Sequence, residues 1–344
     1  MSERGLRPLI VPIFIPHEGC PHRCVFCDQQ KITSQPPGPV KREYVENILK
    51  GAIKSKDFFA RPRREVAFYG GTFTRLSKDR IRTLLKVVAP YIKEGHFHSI
   101  RVSTRPDAID ARLLEMMKGY HVLTVELGAQ SMDDDVLSLS QRGHRARDTI
   151  QSLQILRQYE FKVGIQLMPG LPGDSIEKFR STITQVIALH PDMVRLYPAL
   201  AIDGTTLALW HREGKYRPLG LGEAVEICAE SCLRLEAENI PVIRIGVMSS
   251  PSLLEKGRIV AGPWHPAFGF LVRSRIYLSD IEAELPAPGA ASRIRIRAPR
   301  REIPLLRGYR NEGLKWIEGR TGTEVIKVRP DDTLPSGKIR IEKA

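Results

Sequence analysis

The stretch Glu18-Gly-Cys20-Pro-His-Arg-Cys24-Val-Phe-Cys27-Asp28 follows directly on a short apolar run, residues 9–15, and holds three of the chain's five cysteines. Thiolates separated by three and then two residues fit a compact loop wrapped round one metal centre. A closed zinc site takes four ligands. No fourth cysteine lies nearby, so His17 or His22 would have to complete a Cys3His site. A 4Fe–4S cluster on three protein thiolates would instead leave one iron open to an exogenous ligand. An odd number of clustered cysteines speaks against a disulfide framework.

Outward from this loop, short β-branched runs alternate with longer amphipathic ones. Strands are expected at 9–15, 66–69, 100–103, 122–127, 162–167 and 193–196, and helices at 42–53, 78–91, 111–117, 146–158 and 175–189. Asp174-Ser-Ile-Glu177 reads as a capping box after the turn Pro169-Gly-Leu-Pro-Gly173. Strand–helix alternation implies parallel βαβ units, in an open doubly wound sheet or a partial barrel. After Pro198 come a helix at 223–237, a strand at 242–247 and a Pro- and Gly-rich passage to Gly269. Short alternating strands follow at 273–278, 293–297, 323–328 and 338–341. This divides the chain into a larger domain at 8–270 and a small basic β-rich extension at 271–344.

The spacing Cys20-x3-Cys24-x2-Cys27, with Phe26 before the last cysteine, resembles the signature of the radical S-adenosylmethionine (SAM) superfamily. The resemblance implies a 4Fe–4S cluster on Cys20, Cys24 and Cys27, with SAM chelated by the open iron. Reductive cleavage of SAM then gives a 5′-deoxyadenosyl radical that abstracts a substrate hydrogen, the cofactor carrying the chemistry and the protein positioning it. Further stretches resemble SAM-contacting motifs of that superfamily. Gly70-Gly71-Thr72 resembles the turn that meets the SAM amino group, and Ser103 occupies a position that reaches the ribose. Gln130 and Arg142 match a SAM-facing pair of the coproporphyrinogen-oxidase branch, and Gln166 opens the segment that passes the adenine. These motifs fall at the C-terminal ends of successive expected strands, where βα barrels place active sites. They select an α/β fold with a partial (βα)6 TIM-like barrel over the doubly wound sheet.

Within the superfamily the chain resembles the elongator-type group, which modifies the wobble uridine of tRNA. The carrying stretches are Val125-Glu-Leu-Gly-Ala-Gln-Ser131, Arg142-Gly-His144, Gly164-Ile-Gln-Leu-Met-Pro-Gly-Leu-Pro-Gly173, Asp192-Met-Val-Arg-Leu-Tyr-Pro198, Val242-Ile-Arg-Ile-Gly246 and Gly262-Pro-Trp-His-Pro-Ala-Phe-Gly269. That group also carries an acetyltransferase domain, for which the remainder after the barrel is too short. A separate protein would have to supply it. The resemblance points to an RNA (tRNA) substrate and a reducing donor such as flavodoxin or ferredoxin. A tetrapyrrole substrate is the rival within the enzyme class. A non-catalytic, zinc-stabilised nucleic-acid-binding protein is the rival outside it.

Composition is that of a folded chain: 344 residues, 42% hydrophobic and 27% charged, which excludes disordered and collagen-like classes. No apolar run reaches the ~18 residues of a membrane span, and the N-terminus does not read as a signal peptide, so a cytoplasmic protein without a membrane partner is expected. The net charge of +14 favours a polyanionic partner. Between positions 293 and 310 lie seven arginines and one glutamate, and Arg293, Arg295 and Arg297 alternate with apolar residues. These three are candidates for holding RNA backbone, with Tyr309 and Trp316 as stacking surfaces, or else the solvated face of an edge strand. Cys228 and Cys232, four apart in the helix at 223–237, read as buried packing thiols. His265 in Trp264-His-Pro266 reads as a structural loop histidine, and Tyr69 and Tyr197 as cavity lining or core caps.

Overall fold

Val- and Ile-rich runs form strands because β-branched side chains pack well on a pleated surface. In the computed structural model, which describes residues 8–36 and 38–344, seven of them pair in one parallel sheet. In spatial order they are β1 (Leu9–Ile15), β2 (Arg64–Gly70), β3 (Ser99–Thr104), β4 (Val122–Gln130), β5 (Lys162–Leu167), β6 (Met193–Leu196) and β8 (Val242–Ile245). Between the last two in the chain comes β7 (Ala201–Ile202), which pairs antiparallel with β9 (Ile259–Ala261). The sheet curls into a TIM-like half-barrel, and the strand expected at 242–247 joins the six expected barrel strands as the seventh, β8.

Side-chain alternation sorts each strand into two faces. Outward residues such as Val66, Phe68, Ile100, Val102, Val125 and Leu127 join one core with Leu49, Leu84, Leu114, Leu153 and Ile183 of the covering helices. Those helices are Arg42–Ile53, Lys78–Lys93, Ala111–Gly119, Ala146–Gln158, Ile176–Leu189 and Leu221–Ala237. The cap before Ile176–Leu189 sits one residue later than the capping box expected at Asp174. Ser175 Oγ accepts from Lys178 N at 3.2 Å, while the Asp174 carboxylate accepts from Gly170 N at 2.9 Å and closes the preceding turn.

The expected strand at 273–278 is instead part of a continuous helix, Phe268–Ile281, which runs through position 271. Its first half, Phe268 and Val272, belongs to the barrel core. Its second half, Tyr277, Leu278 and Ile281, belongs to the core of the C-terminal unit. That unit contains a three-stranded sheet in the order β11 (Glu324–Pro330), β10 (Arg293–Ala298), β12 (Arg340–Lys343). Helices Ile303–Arg307 and Glu312–Thr321 connect β10 to its parallel neighbour β11, so the small sheet expected there is accompanied by helices. Strand β10 lies in the middle, paired on both sides, and is not an edge.

Candidate active site

The C-terminal ends of the strands and the loop after β1 surround a cavity of about 450 Å³. Cys20, Cys24, Cys27 and Phe26 reach its wall from the loop. Gly70, Gly71 and Thr72 come from the β2 turn, and Ser103, Gln130 and Gln166 from β3, β4 and β5. Arg142 arrives from the turn after the short helix Asp134–Leu139 that follows β4.

The cysteine loop and the β2 turn interlock through backbone. Gly71 N–H donates to Ile15 O at 3.0 Å and Thr72 N–H to Glu18 O at 2.8 Å. A Cβ on Gly71 would lie 1.9 Å from Glu18 O, and one on Gly19 would lie 2.3 Å from Thr72 O. Gly71 therefore owes its lack of a side chain to the cysteine loop. Its N–H and that of Thr72 are committed, and carbonyl oxygens, the acceptors an ammonium needs, are what the turn has left to offer. Glu18 fixes the loop from behind, accepting from Val40 N at 2.8 Å and pairing with Arg80 at 3.0 Å.

The donor set fits a cluster better than a zinc ion. His17 Nε2 accepts from Gln29 N at 3.0 Å and His22 Nε2 donates to Gln141 O at 2.8 Å, so neither presents that nitrogen to the cysteines. Among the described residues no three His, Cys, Asp or Glu side chains converge to hold a single ion. A cubane relaxes that demand, because each thiolate meets its own iron. Burial pushes the Cys27 thiol up to about 12, and the neighbouring Cys24 and Cys20 add to this. Burial also raises Cys20. Such thiols become ligands only beside strong positive charge, which a cluster's irons bring and Arg142 supplements, donating from Nη1 to Cys24 Sγ at 3.0 Å.

Arg142 also donates from Nη2 to Gly128 O at 2.5 Å, and His144 Nε2 donates to Ala129 O at 3.2 Å. Together they pin a bulge in β4 that carries Gln130 at φ 71°, where Gln130 Oε1 accepts from Gln166 Nε2 at 3.2 Å. Burial first, then the Arg142 and Arg105 guanidiniums, lower the His144 pKa to about 3, so it holds this carbonyl as a neutral ring. Ser103 Oγ lies 3.4 Å from both Phe68 O and Gly70 O, leaning on β2. Phe26 packs in a small core with Val25, Met168, Leu171 and Tyr216 beneath the loop.

One layer deeper lies a charged network that the sequence motifs do not mark. Arg101 donates to Glu65 at 2.8 Å and to Glu126 at 2.5 Å, all three being nearly inaccessible. Arg195 pairs with Glu126 at 2.9 Å, donates to Tyr197 Oη at 3.1 Å and contacts the Tyr69 hydroxyl. Tyr69 in turn donates to Glu126 at 3.1 Å, and burial followed by that carboxylate drives its pKa upward. Tyr69 and Tyr197 are thus cavity lining. The signal was present in the sequence: Arg101, Glu126, Arg195 and Arg244 are each the one charge inside an otherwise uncharged strand. Buried parallel strands are expected to read as unbroken apolar runs.

Arg293, Arg295 and Arg297 lie outside the cavity, on β10. Arg293 pairs with Glu324 at 3.1 Å and Arg297 with Glu342 at 2.6 Å. In register with Arg295 and Arg297 stand Lys327 and Arg329 of β11, and Arg340 of β12 stands opposite Arg297, so the cationic face is wider than the three arginines. The expected stacking surfaces are partly used internally. Tyr309 meets His265 edge-on at 4.6 Å, and Arg275 lies 5.9 Å over Trp316. Cys228 and Cys232 are buried in the barrel core, and His265 Nδ1 accepts from Ala267 N, the structural role expected of it.

Comparison with known families places this constellation. The model of the radical SAM superfamily matches residues 14–186, half of the chain, and that of the radical SAM C-terminal domain matches residues 191–277. The chain belongs to the radical SAM superfamily. Radical SAM enzymes use a 4Fe–4S cluster and SAM, which agrees with the three thiols and the cavity beside them. A tRNA uridine(34) acetyltransferase of Dehalococcoides mccartyi is 29% identical over 257 residues, 66% of this chain and 55% of that protein. The heme chaperone HemW of Bacillus subtilis is 24% identical over 256 residues, 73% of this chain and 66% of that protein. Archaeal Elp3 of Methanocaldococcus infernus shares the fold, with TM-score 0.60 at 23% identity over 80% of this chain and 63% of that one. The chain spans about half the length of the curated tRNA uridine(34) acetyltransferases it matches. Among the described residues no helix is long and apolar enough to cross a membrane.

Proposed function

We propose that this radical SAM enzyme modifies RNA, with a uridine-bearing tRNA as its substrate. One observation supports this most: five arginines (Arg23, Arg105, Arg142, Arg195 and Arg244) line the cavity against one carboxylate, Glu126. Such a wall attracts a polyanion. The similarity to tRNA uridine(34) acetyltransferases points the same way. In this reading Cys20, Cys24 and Cys27 hold the cluster. Phe26, Gly70, Gly71, Thr72, Ser103, Gln130, Arg142 and Gln166 surround SAM. Bound together, cluster and SAM supply a radical able to take hydrogen from an unactivated C–H bond. The protein's part is positioning: the interlocked glycine turns fix the loop, Arg142 steadies Cys24, and the buried Glu126–Arg195 network keeps the tyrosine hydroxyls in place.

A reductant such as flavodoxin or ferredoxin delivers the electron, and a separate protein supplies any acetyl-transfer step. The enzyme works in the cytoplasm, and the cationic sheet face around Arg293, Arg295 and Arg297 takes RNA backbone outside the cavity.

Anaerobic reconstitution should give about four irons per chain and release 5′-deoxyadenosine from SAM under reductant. Nucleoside mass spectrometry of tRNA from cells lacking the protein should then show a changed uridine derivative. Unchanged nucleosides together with accumulated porphyrin precursors would transfer the assignment to tetrapyrroles.

A further inference from the structure

Of the five cavity arginines, Arg105 is paired with Asp107 at 2.9 Å and Arg195 with Glu126 at 2.9 Å, while Arg142 is turned to Cys24 and Gly128. Arg23, exposed on the cysteine loop, is without an ion-pair partner among the described residues; Arg244 differs in being carried by a strand of the barrel sheet. Among the described residues it too has no carboxylate within ion-pair distance, and its hydrogen bond is Nε to Gly246 O at 3.2 Å. It stands beside Arg195, since the two are register partners between β6 and β8.

The strand is built to put it there. Val194 pairs with Val242 and Arg195 with Arg244, so Ile243 is an extra residue on β8. Without that bulge, alternation would carry Arg244 to the same face as Val242, which lies in the outer core. With it, Arg244 lines the cavity. Bulges of this kind re-aim side chains next to active sites. Just past the end of β6, two residues on from Arg195, comes Tyr197, whose hydroxyl accepts from Arg195 and so keeps its own proton to donate. Two guanidiniums side by side, with one counter-charge already shared with Arg101, and a free phenolic donor form a site for an oxyanion.

We propose that Arg244 and Tyr197 hold a phosphodiester oxygen of the RNA substrate inside the cavity. The assignment rests on the RNA reading above and deepens it, giving the cavity its own grip on a phosphate apart from the cationic sheet face. Arg195, neutralised by Glu126, positions the Tyr197 hydroxyl.

The test is retention of a labelled anticodon stem-loop RNA by the reconstituted full-length chain, titrated at several salt concentrations. Arg244→Gln should weaken retention about tenfold and lower the slope of log affinity against log salt by about 0.7, the contribution of one single-strand phosphate. Arg244→Lys should keep most of that slope. Tyr197→Phe should weaken retention while leaving the slope unchanged. Thermal melting of each variant checks the fold, and if Arg244→Gln does not fold, the Lys and Phe variants decide. Retention by the wild type with affinity and slope unaltered in these variants overturns this site and leaves the RNA reading standing. No retention by the wild type overturns both. In that event a tetracarboxylate porphyrin bound in an Arg244-dependent manner would identify the oxyanion as a carboxylate.

Discussion

At the residue scale the site depends on positions with no slack. Three thiolates for a cluster leave none spare, so Cys20→Ala, Cys24→Ala or Cys27→Ala should each abolish 5′-deoxyadenosine release and lower bound iron. Full cleavage in any one of them would remove that cysteine from the ligand set. Gly71→Ala tests the interlock. Its Cβ would meet the Glu18 carbonyl at 1.9 Å, a backbone atom that cannot rotate away. The cysteine loop must shift, at a cost of about 1–3 kcal/mol by analogy with overpacked cores. Urea denaturation should show the loss, and iron incorporation should fall even though no ligand has changed. A Gly71→Ala protein with wild-type stability and iron content would mean that the two loops do not depend on each other. This glycine also shows how far sequence reading reaches. Its need for closeness was legible, but its partner was not, because Glu18 and Gly71 are brought together only by the pairing of β1 with β2.

At the element scale the strands were legible and their contents only partly so. Runs such as 9–15, 162–167 and 193–196 match β1, β5 and β6, since short apolar segments between turn signals leave few other assignments. The strand expected at 273–278 became helix because the segment is buried on two sides: Phe268 and Val272 lie on one face of the helix and Tyr277 and Ile281 on the opposite one, so no single helical stripe marks it in the sequence. Lone charges in buried strands were the signal left unread. Arg101, Glu126 and Arg195 form, with Glu65, a network across β2, β3, β4 and β6, and its energetics follow from burial. Arg101→Leu leaves Glu65, at 2% exposure, with only the partly exposed Arg63 at 3.2 Å, and leaves Glu126, at 4%, to Arg195. Removing one partner of such a pair costs about 3–5 kcal/mol. Adding Glu65→Leu should recover part of that loss, because it removes the buried charge left with the weaker partner. Denaturant midpoints of the two single variants and the double variant measure the coupling. Additive losses would show that Arg101 and Glu65 do not stabilise each other.

At the scale of the whole molecule the helix Phe268–Ile281 joins two cores, so the barrel and the C-terminal unit share structure as well as sequence. Part of the net charge of +14 gathers in two places, the cavity wall and the sheet face of the C-terminal unit. On that face reversal of Arg293 or Arg297 is a poor probe, because each already neutralises a glutamate and a new carboxylate there would destabilise the sheet itself. Arg295, Lys327 and Arg329 have no carboxylate within ion-pair distance among the described residues and stand together in the β10–β11 register. Replacing all three with Gln removes charge without creating repulsion. If the face tracks RNA backbone, retention of whole tRNA should weaken and its salt slope should fall by about two to three, close to one for each duplex phosphate no longer neutralised. A short anticodon stem-loop that reaches only the cavity should be retained as by the wild type. The opposite pattern, loss of the stem-loop with whole tRNA unaffected, would place the triple variant's effect in the cavity and leave the sheet face without a nucleic-acid role.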